Sequence, residues 1–556
     1  MKKWEVLSQS SAISYQSSVD SIIDILLKNR GLKTRKQKEE FLKPTPPEKI
    51  TLKSLKISDV SVKKAISRIK KAVKNKERII VYGDYDADGV CATAILWETL
   101  YSLSKKALPY IPERFSEGYG LNAGSVENIK SQNPDVKLII TVDNGIVAYD
   151  GVKKANELGI DVIITDHHLK GKKLPRALAI IHTTEIGGAG LAWILSRELK
   201  SAIRHKPSDI SSLELAAIGT ISDQLPLVGA NRSFAKYGLE VLNKTKRPGL
   251  LALFEEAAIE KGSIGTYQVN FMIAPRLNAM GRLEHAIDSL RLLCIKGRGK
   301  AQVLARLLGK TNRQRQKVVG EVLLHASKSV DEKNLGSVII LAHESYHEGV
   351  IGLAASRLVE RFYRPAIVLS KGDEYSKASA RSISGFNIIE TLRKMEDMWV
   401  EGGGHPMAAG FTIETSKIEV FSEKFSKAAD SILTNDLLTR RLKIDLEVDF
   451  SQLNWKLENA LEDFEPAGIG NPTPTFATKE VTVLNSRVVG RDAKHIKLVL
   501  QKDDKTFDAI AFGFGYLYPK LMTAETVDVA YNLMENEWMG EKKLELRVKD
   551  IKLGEQ

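Results

Sequence analysis

Cysteine is almost absent: in 556 residues there are two, Cys91 and Cys294, and they do not form a metal-like pair. Two such thiols exclude a disulfide framework and a thiolate zinc finger, and the expectation is a reducing, cytoplasmic compartment. Long apolar runs are missing too, since nothing approaches the roughly 20 residues of a membrane-crossing helix. The opening MKKWEVLSQSSAISYQ lacks the apolar stretch of a secretory signal, so neither export nor a membrane is expected. Low-complexity tracts and fixed-period repeats are also lacking.

What is present is the make-up of a globular protein, 43% hydrophobic and 27% charged, in a chain too long for one core. Two to four domains are expected. The formal charge of +13 favours a polyanionic partner, nucleic acid first among them, although solubility alone also accounts for a basic surface.

Residues 1–75 read as helical and basic, with a loop at KPTPPEK. Beyond them, ERIIVYGD, VKLIITVDNG and IDVIITDHH read as buried strands alternating with helices, the mark of a parallel α/β sheet with right-handed crossovers. A mostly helical stretch follows from about 188, closing in AQVLARLLGKTNRQRQKVVGEVLLHA, a basic amphipathic helix expected over 296–332 as a connector. A second, smaller α/β unit is expected over 333–435. From 440 to 556 short alternating strands (VTVLNSRVV, HIKLVLQ, KTFDAIAF, LELRVKDIKL) predict a β-barrel of the oligonucleotide-binding (OB) kind.

The stretch GDYDADG, 83–89, opens like a calcium-binding EF-hand loop. Counting from Asp84, position six is Gly89, as required, but position twelve is Ile95, where that loop needs a bidentate glutamate. The EF-hand is excluded. A haloacid-dehalogenase phosphatase would employ Asp86 and Asp88 but leave Asp84, Asp143 and Asp166-His167-His168 idle. The remaining reading uses all the acids that end the strands. Carboxylates at buried strand tips need neutralising, and an oxygen-rich set with an imidazole from DHH suits Mn²⁺ or Mg²⁺. Two such ions, about 3.5–4 Å apart, support in-line phosphoryl displacement. One further acid is needed, and Asp223 in GTISDQLPL follows a helix of small residues suited to close packing on the sheet.

Together, YGDYDADG, TVDNG, ITDHH and GTISDQLPL resemble the DHH phosphoesterase superfamily, and within it the RecJ family of single-strand-specific exonucleases. PERFSEGYGLN, APRLNAMGR, SARSISGFN, GGGHPMAAGF and PAGIGNPTPTF extend the resemblance over nearly the whole chain. It implies a parallel-sheet DHH catalytic domain over 76–295, preceded by residues 1–75 as its helical segment. A DHHA1-type substrate-binding domain over 333–435 and an OB domain over 440–556 complete the chain. It implies Asp86, Asp88, Asp143, His167 and Asp223 as metal ligands, with Asp143 bridging two divalent ions. Many relatives carry a histidine where this chain has Tyr82; here that duty falls to Asp84, with Tyr82 the alternative. His168 resembles the histidine that faces the phosphate.

The resemblance further implies phosphate contacts. His405 in GGGHPMAAG would donate to the scissile group, its glycines letting backbone approach a phosphate. Arg276, Asn278 and Arg282 would donate to the sugar–phosphate backbone. Ser379 and Arg381, with Arg114, would hold a 5′-terminal phosphate. On the barrel, Arg491, Lys494, His495 and Lys497 would form a basic groove, with Phe512 and Phe514 as stacking platforms or, alternatively, as core. The implied function is 5′→3′ hydrolysis of single-stranded DNA to mononucleotides in recombination and repair. A single-stranded-DNA-binding protein and a helicase are implied as partners, and a monomer as the working form. The alternatives are a phosphodiesterase of short oligonucleotides or cyclic dinucleotides and a non-catalytic scaffold. The barrel argues against the first and the full ligand set against the second.

Overall fold

The three β-branched runs become the centre of a parallel sheet, as strands Arg78–Tyr82, Val136–Val142 and Asp161–Asp166. Two strands too short to stand out in the sequence, Ala107–Tyr110 and Ala179–His182, complete it, one at each edge. These elements belong to a computed structural model that describes residues 2–8, 18–203, 212–330 and 335–554. Helices cover both faces of the sheet, so its strands are apolar almost throughout; in Val136–Val142 only Lys137 is exposed. Ile79, Val81, Leu138 and Ile140 point into one core, with helices Ala87–Leu103, Gly188–Ala202 and Leu213–Ser222. Their neighbours Ile80, Tyr82 and Ile139 point into the other, against helices Ala123–Gln132 and Tyr149–Glu157. From Arg78–Tyr82 the chain crosses to one side and then places Val136–Val142 on the other. Such a switch point opens a crevice at the carboxyl ends of the strands, where GDYDADG and Asp143 lie.

The chain divides into two units, each described by itself. The larger, Trp4–Gly281, His285–Gly309 and Lys443–Gln556, holds this sheet and the C-terminal strands. Strands Phe476–Val489, His495–Lys502, Lys505–Ala511, Glu541–Leu553 and Thr526–Trp538 pair in that order, and the last pairs back to the first, closing a five-stranded barrel. Register shifts in Phe476–Val489 bend it enough to serve both sides of the closure. The N-terminal helices divide between two cores. Val62, Ala65 and Ile69 of Asp59–Lys74 join the sheet, whereas Ile22, Leu26 and Leu27 of Val19–Asn29 and Phe41 of Arg35–Leu42 pack with the barrel residues Phe450, Phe476 and Tyr531. Residues 1–75 are therefore not one segment of the catalytic region.

The smaller unit comprises Met1–Lys3, Arg282–Glu284 and Lys310–Leu442. Its mixed sheet runs Trp399–His405, Ala408–Glu414, Tyr375–Arg381, Ala366–Ser370, Ile339–His343, with only the last pair parallel. The connecting helix spans Arg298–Ser329, and its residues up to Gly309 belong to the larger unit. GGGH, whose glycines are expected to let backbone approach a phosphate, forms the end of the exposed edge strand Trp399–His405.

Candidate metal centre and phosphate sites

Asp86 caps the helix that follows the first strand, its carboxylate accepting from the Gly89 amide at 2.9 Å. Asp88, in the first turn of that helix, is buried; its two oxygens accept from the amides of Gly188 and Ala189 at 2.7 and 2.9 Å. Those amides open the helix Gly188–Ala202, where the first N–H groups lack partners of their own. Asp84 is buried and accepts from the Tyr85 amide at 2.7 Å. Asp143 sits just past its strand with φ 63°, a left-handed conformation that aspartate tolerates better than most residues. Asp223 ends the small-residue helix Leu213–Ser222. Close approach depends on glycine: a Cβ on Gly188 would stand 2.5 Å from the Asp143 side chain, and one on Gly219 2.2 Å from an Asp88 oxygen.

These acids converge. Asp84, Asp86 and Asp143 bring carboxylate oxygens within 4.8 Å of one another, as Asp88, His167 and Asp223 do with theirs and the imidazole. His167 Nε2 lies 3.0 Å from Asp143 Oδ1, 3.7 Å from Asp223 and 3.9 Å from Asp88. Burial, reinforced by the charge of neighbouring carboxylates, pushes Asp88 up to about 7 and Asp223 up to about 8. The same causes raise Asp84 and Asp143 well above the usual carboxylate range. Burial, with His168 alongside, lowers His167 to about 4, so its ring is neutral and can offer a lone pair. Asp143 Oδ1 and His167 Nε2 are both buried, and among the described residues neither has a hydrogen-bond partner. A cation between these facing lone pairs supplies what both lack, and it relieves the crowding of the carboxylates. The residues fit a divalent metal centre.

Tyr82 is turned away. Its hydroxyl donates to the Gly120 carbonyl at 2.9 Å and its ring stacks on Tyr110 at 5.3 Å, inside the opposite core. Of the two alternatives for the first motif, only Asp84 reaches the cluster. Asp166 has a different task from the other strand-tip acids. One oxygen accepts from the Ile146 amide at 2.8 Å, while the other accepts from the His168 amide at 3.0 Å and lies 2.8 Å from its Nδ1. Burial alone would depress His168, but this partner outweighs it and raises the imidazole to about 9.

The expected phosphate donors have mixed fates. Arg276 is committed internally: its Nε donates to Glu256 at 2.6 Å and Nη1 to the Met272 carbonyl, both inside the fold. The expected contact to the nucleic-acid backbone would have to be made by a guanidinium already engaged at Nε and Nη1. Asn278 turns its Oδ1 to the Ala87 amide at 2.6 Å, bracing the GDYDADG turn. Arg114 lies over the Tyr85 ring at 5.0 Å, and its charge tempers the rise at Asp84. Tyr119, which sequence reasoning passed over, makes edge contacts with both Tyr85 and His168 at 6.2 Å; its exposure beside a titrating histidine is visible only in three dimensions.

In the smaller unit, Arg282 Nη1 donates to the Gly349 carbonyl at 3.2 Å. Arg381 Nη1 donates to Ser379 Oγ at 3.0 Å, and both crowd Gly352, whose Cβ would lie 2.9 and 3.0 Å from them at the start of helix Ile351–Phe362. Hydroxyl, guanidinium and helix N-terminus together suit a phosphate. His405 is exposed at the end of its strand. On the barrel, Phe512 is 52% exposed, flanked by the His495 ring at 5.2 Å and the Arg547 guanidinium at 5.6 Å. Phe514 instead packs against the barrel core. Lys497 lines a groove of mixed charge, with Arg487 and Lys543 but also Asp508, Glu541 and Glu545, while Arg491 and Lys494 occupy the turn before His495.

The parallel sheet with its carboxylate-lined crevice places the chain among the DHH phosphoesterases. The model of the DHH family, N-terminal domain, matches residues 78–220, that of the DHHA1 domain 335–431 and that of the RecJ OB domain 444–550. The single-stranded-DNA-specific exonuclease RecJ of Bacillus subtilis is 35% identical over all of this chain and 71% of its own. That of Escherichia coli is 32% identical over 88% of this chain and 90% of its own. The crystal structure of RecJ in complex with Mn²⁺ from Thermus thermophilus superposes with a TM-score of 0.83 at 28% identity, covering all of this chain and 80% of that one. The chain belongs to the RecJ family. Among the described residues no helix is long and apolar enough to cross a membrane.

Proposed function

We propose that this protein is a metal-dependent exonuclease that degrades single-stranded DNA from its 5′ end to mononucleotides. The observation that carries the proposal is the buried, unpartnered Asp143–His167 pair set among Asp84, Asp86, Asp88 and Asp223. Those six residues would hold the metals. Two bound divalent ions, Mn²⁺ or Mg²⁺, supply Lewis acidity and a water of lowered pKa. The chain's own part is to aim and to move protons. The Asp166 carboxylate keeps His168 protonated at neutral pH through Nδ1, leaving Nε2 to donate to a phosphoryl oxygen. Arg114, Arg282, Ser379, Arg381 and His405 are assigned to the phosphates of the strand, with Ser379 and Arg381 taking the 5′-terminal one and thereby setting polarity. Phe512, with Arg547 beside its ring and Lys497 on the same barrel, gives a sequence-tolerant hold on single-stranded DNA. That hold favours long strands over short oligonucleotides or cyclic dinucleotides as substrates. A cytoplasmic monomer, working with a single-stranded-DNA-binding protein and a helicase in recombination and repair, completes the reading.

End-labelled single- and double-stranded DNA, incubated with Mn²⁺, Mg²⁺ or chelator, tests it. Mononucleotides should be released from the 5′ end of single strands, and only with metal. Release from the 3′ end, or turnover in chelator, would overturn the proposal.

A further inference from the structure

The metal centre and the phosphate contacts leave PAGIGNP, residues 466–472, without a role. Its chain turns back tightly: Gly468 and Asn471 exchange backbone hydrogen bonds of 2.8 and 3.1 Å. The buried Asn471 side chain donates to the carbonyls of Phe464 and Pro466 at 2.6 and 3.1 Å and accepts from Arg30 Nε at 2.9 Å. Arg232, itself buried, donates to the carbonyls of Asp463, Phe464, Glu465 and Pro466. The turn is therefore stiffened from behind by a fully engaged polar network. Its other side faces the chain that follows Asp223. The Ile469 carbonyl accepts from the Leu227 amide at 2.7 Å. A Cβ on Gly468 would come within 2.7 Å of the Leu227 side chain, and one on Gly470, whose φ is 75°, within 3.0 Å of Pro226.

Asp84, Asp86 and Asp88 each accept a backbone amide hydrogen bond. Among the described residues none reaches the Asp223 carboxylate, so the path of the chain must place it. That path is fixed before Asp223 by the helix Leu213–Ser222 and after it by Leu227, buried against the turn. Between the two, Leu225 lies against Gly187, whose Cβ would stand 2.7 Å from it. Gly187 directly precedes the amides that hold Asp88.

We infer that the turn Pro466–Asn471 is a positioning element of the metal centre: by fixing Leu227 it fixes Asp223, and so it sets how tightly a divalent ion is held. The inference rests on Asp223 being a ligand, and its test separates the two. Mn²⁺ binding to the full chain, without DNA, is measured by calorimetry well below the melting temperature for Gly468→Ala, Gly470→Ala, Asp223→Asn and Gly540→Ala. The last is a control, a positive-φ glycine with open space around it. Both turn variants should weaken Mn²⁺ binding about tenfold, the usual scale for residues that orient a ligand. Single-strand affinity in chelator should be unchanged, as should Mn²⁺ binding by Gly540→Ala. If Asp223→Asn binds Mn²⁺ like the parent chain, the ligand assignment fails and the inference with it. If Asp223→Asn weakens binding while the turn variants do not, the positioning role alone is overturned. Equal weakening by Gly540→Ala would mark general strain and overturn it too. Should one turn variant not fold, the other decides.

Discussion

Asp166 holds His168 twice, through the backbone amide at 3.0 Å and through Nδ1 at 2.8 Å, while the adjacent His167 reaches Asp143 without any such partner. Two neighbouring imidazoles are thereby driven apart, one protonated at neutral pH and one a neutral lone-pair donor. Replacing Asp166 with Asn should lower kcat about 100-fold, within the range of a lost acid–base group, and leave Mn²⁺ binding intact. Steady-state kinetics beside a Mn²⁺ titration check this; unchanged kcat would remove His168 from the proton path.

Asp143→Asn keeps a side chain that accepts the left-handed backbone at that position but removes the charge. Hydrolysis should be abolished, because a carboxylate that would hold a divalent ion loses its charge. Retention on immobilised single strands should persist, because the barrel surface is untouched. Turnover near the parental rate would end the two-ion reading.

Arg381→Ala deletes the guanidinium beside Ser379 and Gly352. The parent should degrade 5′-phosphorylated strands faster than 5′-hydroxyl strands, and the variant should lose that preference, chiefly through a KM about tenfold higher. Competition between the two labelled strands in one tube reads it directly.

Glu77 links the helix Asp59–Lys74 to the sheet by pairing with Arg68 at 2.7 Å. Burial raises its pKa, but the Arg68 hydrogen bond and charge outweigh that and the net shift is downward. A depressed carboxyl pKa adds stability above the unfolded value of about 4.3, and that contribution disappears as pH falls through the folded value. Glu77→Gln should therefore cost about 1–3 kcal/mol at pH 7, with the gap to the parent closing below pH ~4. Urea unfolding across pH measures it.

Phe512→Ala should weaken single-strand binding by about 1–3 kcal/mol, the scale of one stacked base. Phe514→Ala should instead lower the melting temperature. Fluorescence anisotropy and thermal unfolding separate the two aromatics, which the sequence leaves as equals.

What could be read from the sequence follows from chemistry that repeats along one strand. A parallel sheet buried on both faces forces apolar strands, so acids at three successive strand ends stand out, and ITDHH adds the imidazoles. The choice between Asp84 and Tyr82 could not be read, because it turns on Gly120 and Tyr110, residues distant in sequence that claim the phenol. The engagement of Arg276 is hidden for a similar reason: its partner Glu256 lies 20 residues earlier in the chain. The split of residues 1–75 also escapes a linear reading, since an amphipathic helix advertises an apolar face without naming the core that receives it.

That split orders events during synthesis. Ile22, Leu26, Leu27 and Phe41 leave the ribosome early, but their partners in the barrel begin near Leu446, about 400 residues later. At roughly 5–20 residues per second, those apolar faces wait from about 20 seconds to more than a minute for a core to enter. The parallel sheet can assemble in that interval, whereas the turn that steadies Leu227 arrives only with the barrel. A nascent or prematurely terminated chain would then expose the apolar faces of the helices Val19–Asn29 and Arg35–Leu42 and lack the Ile469 carbonyl that accepts from the Leu227 amide.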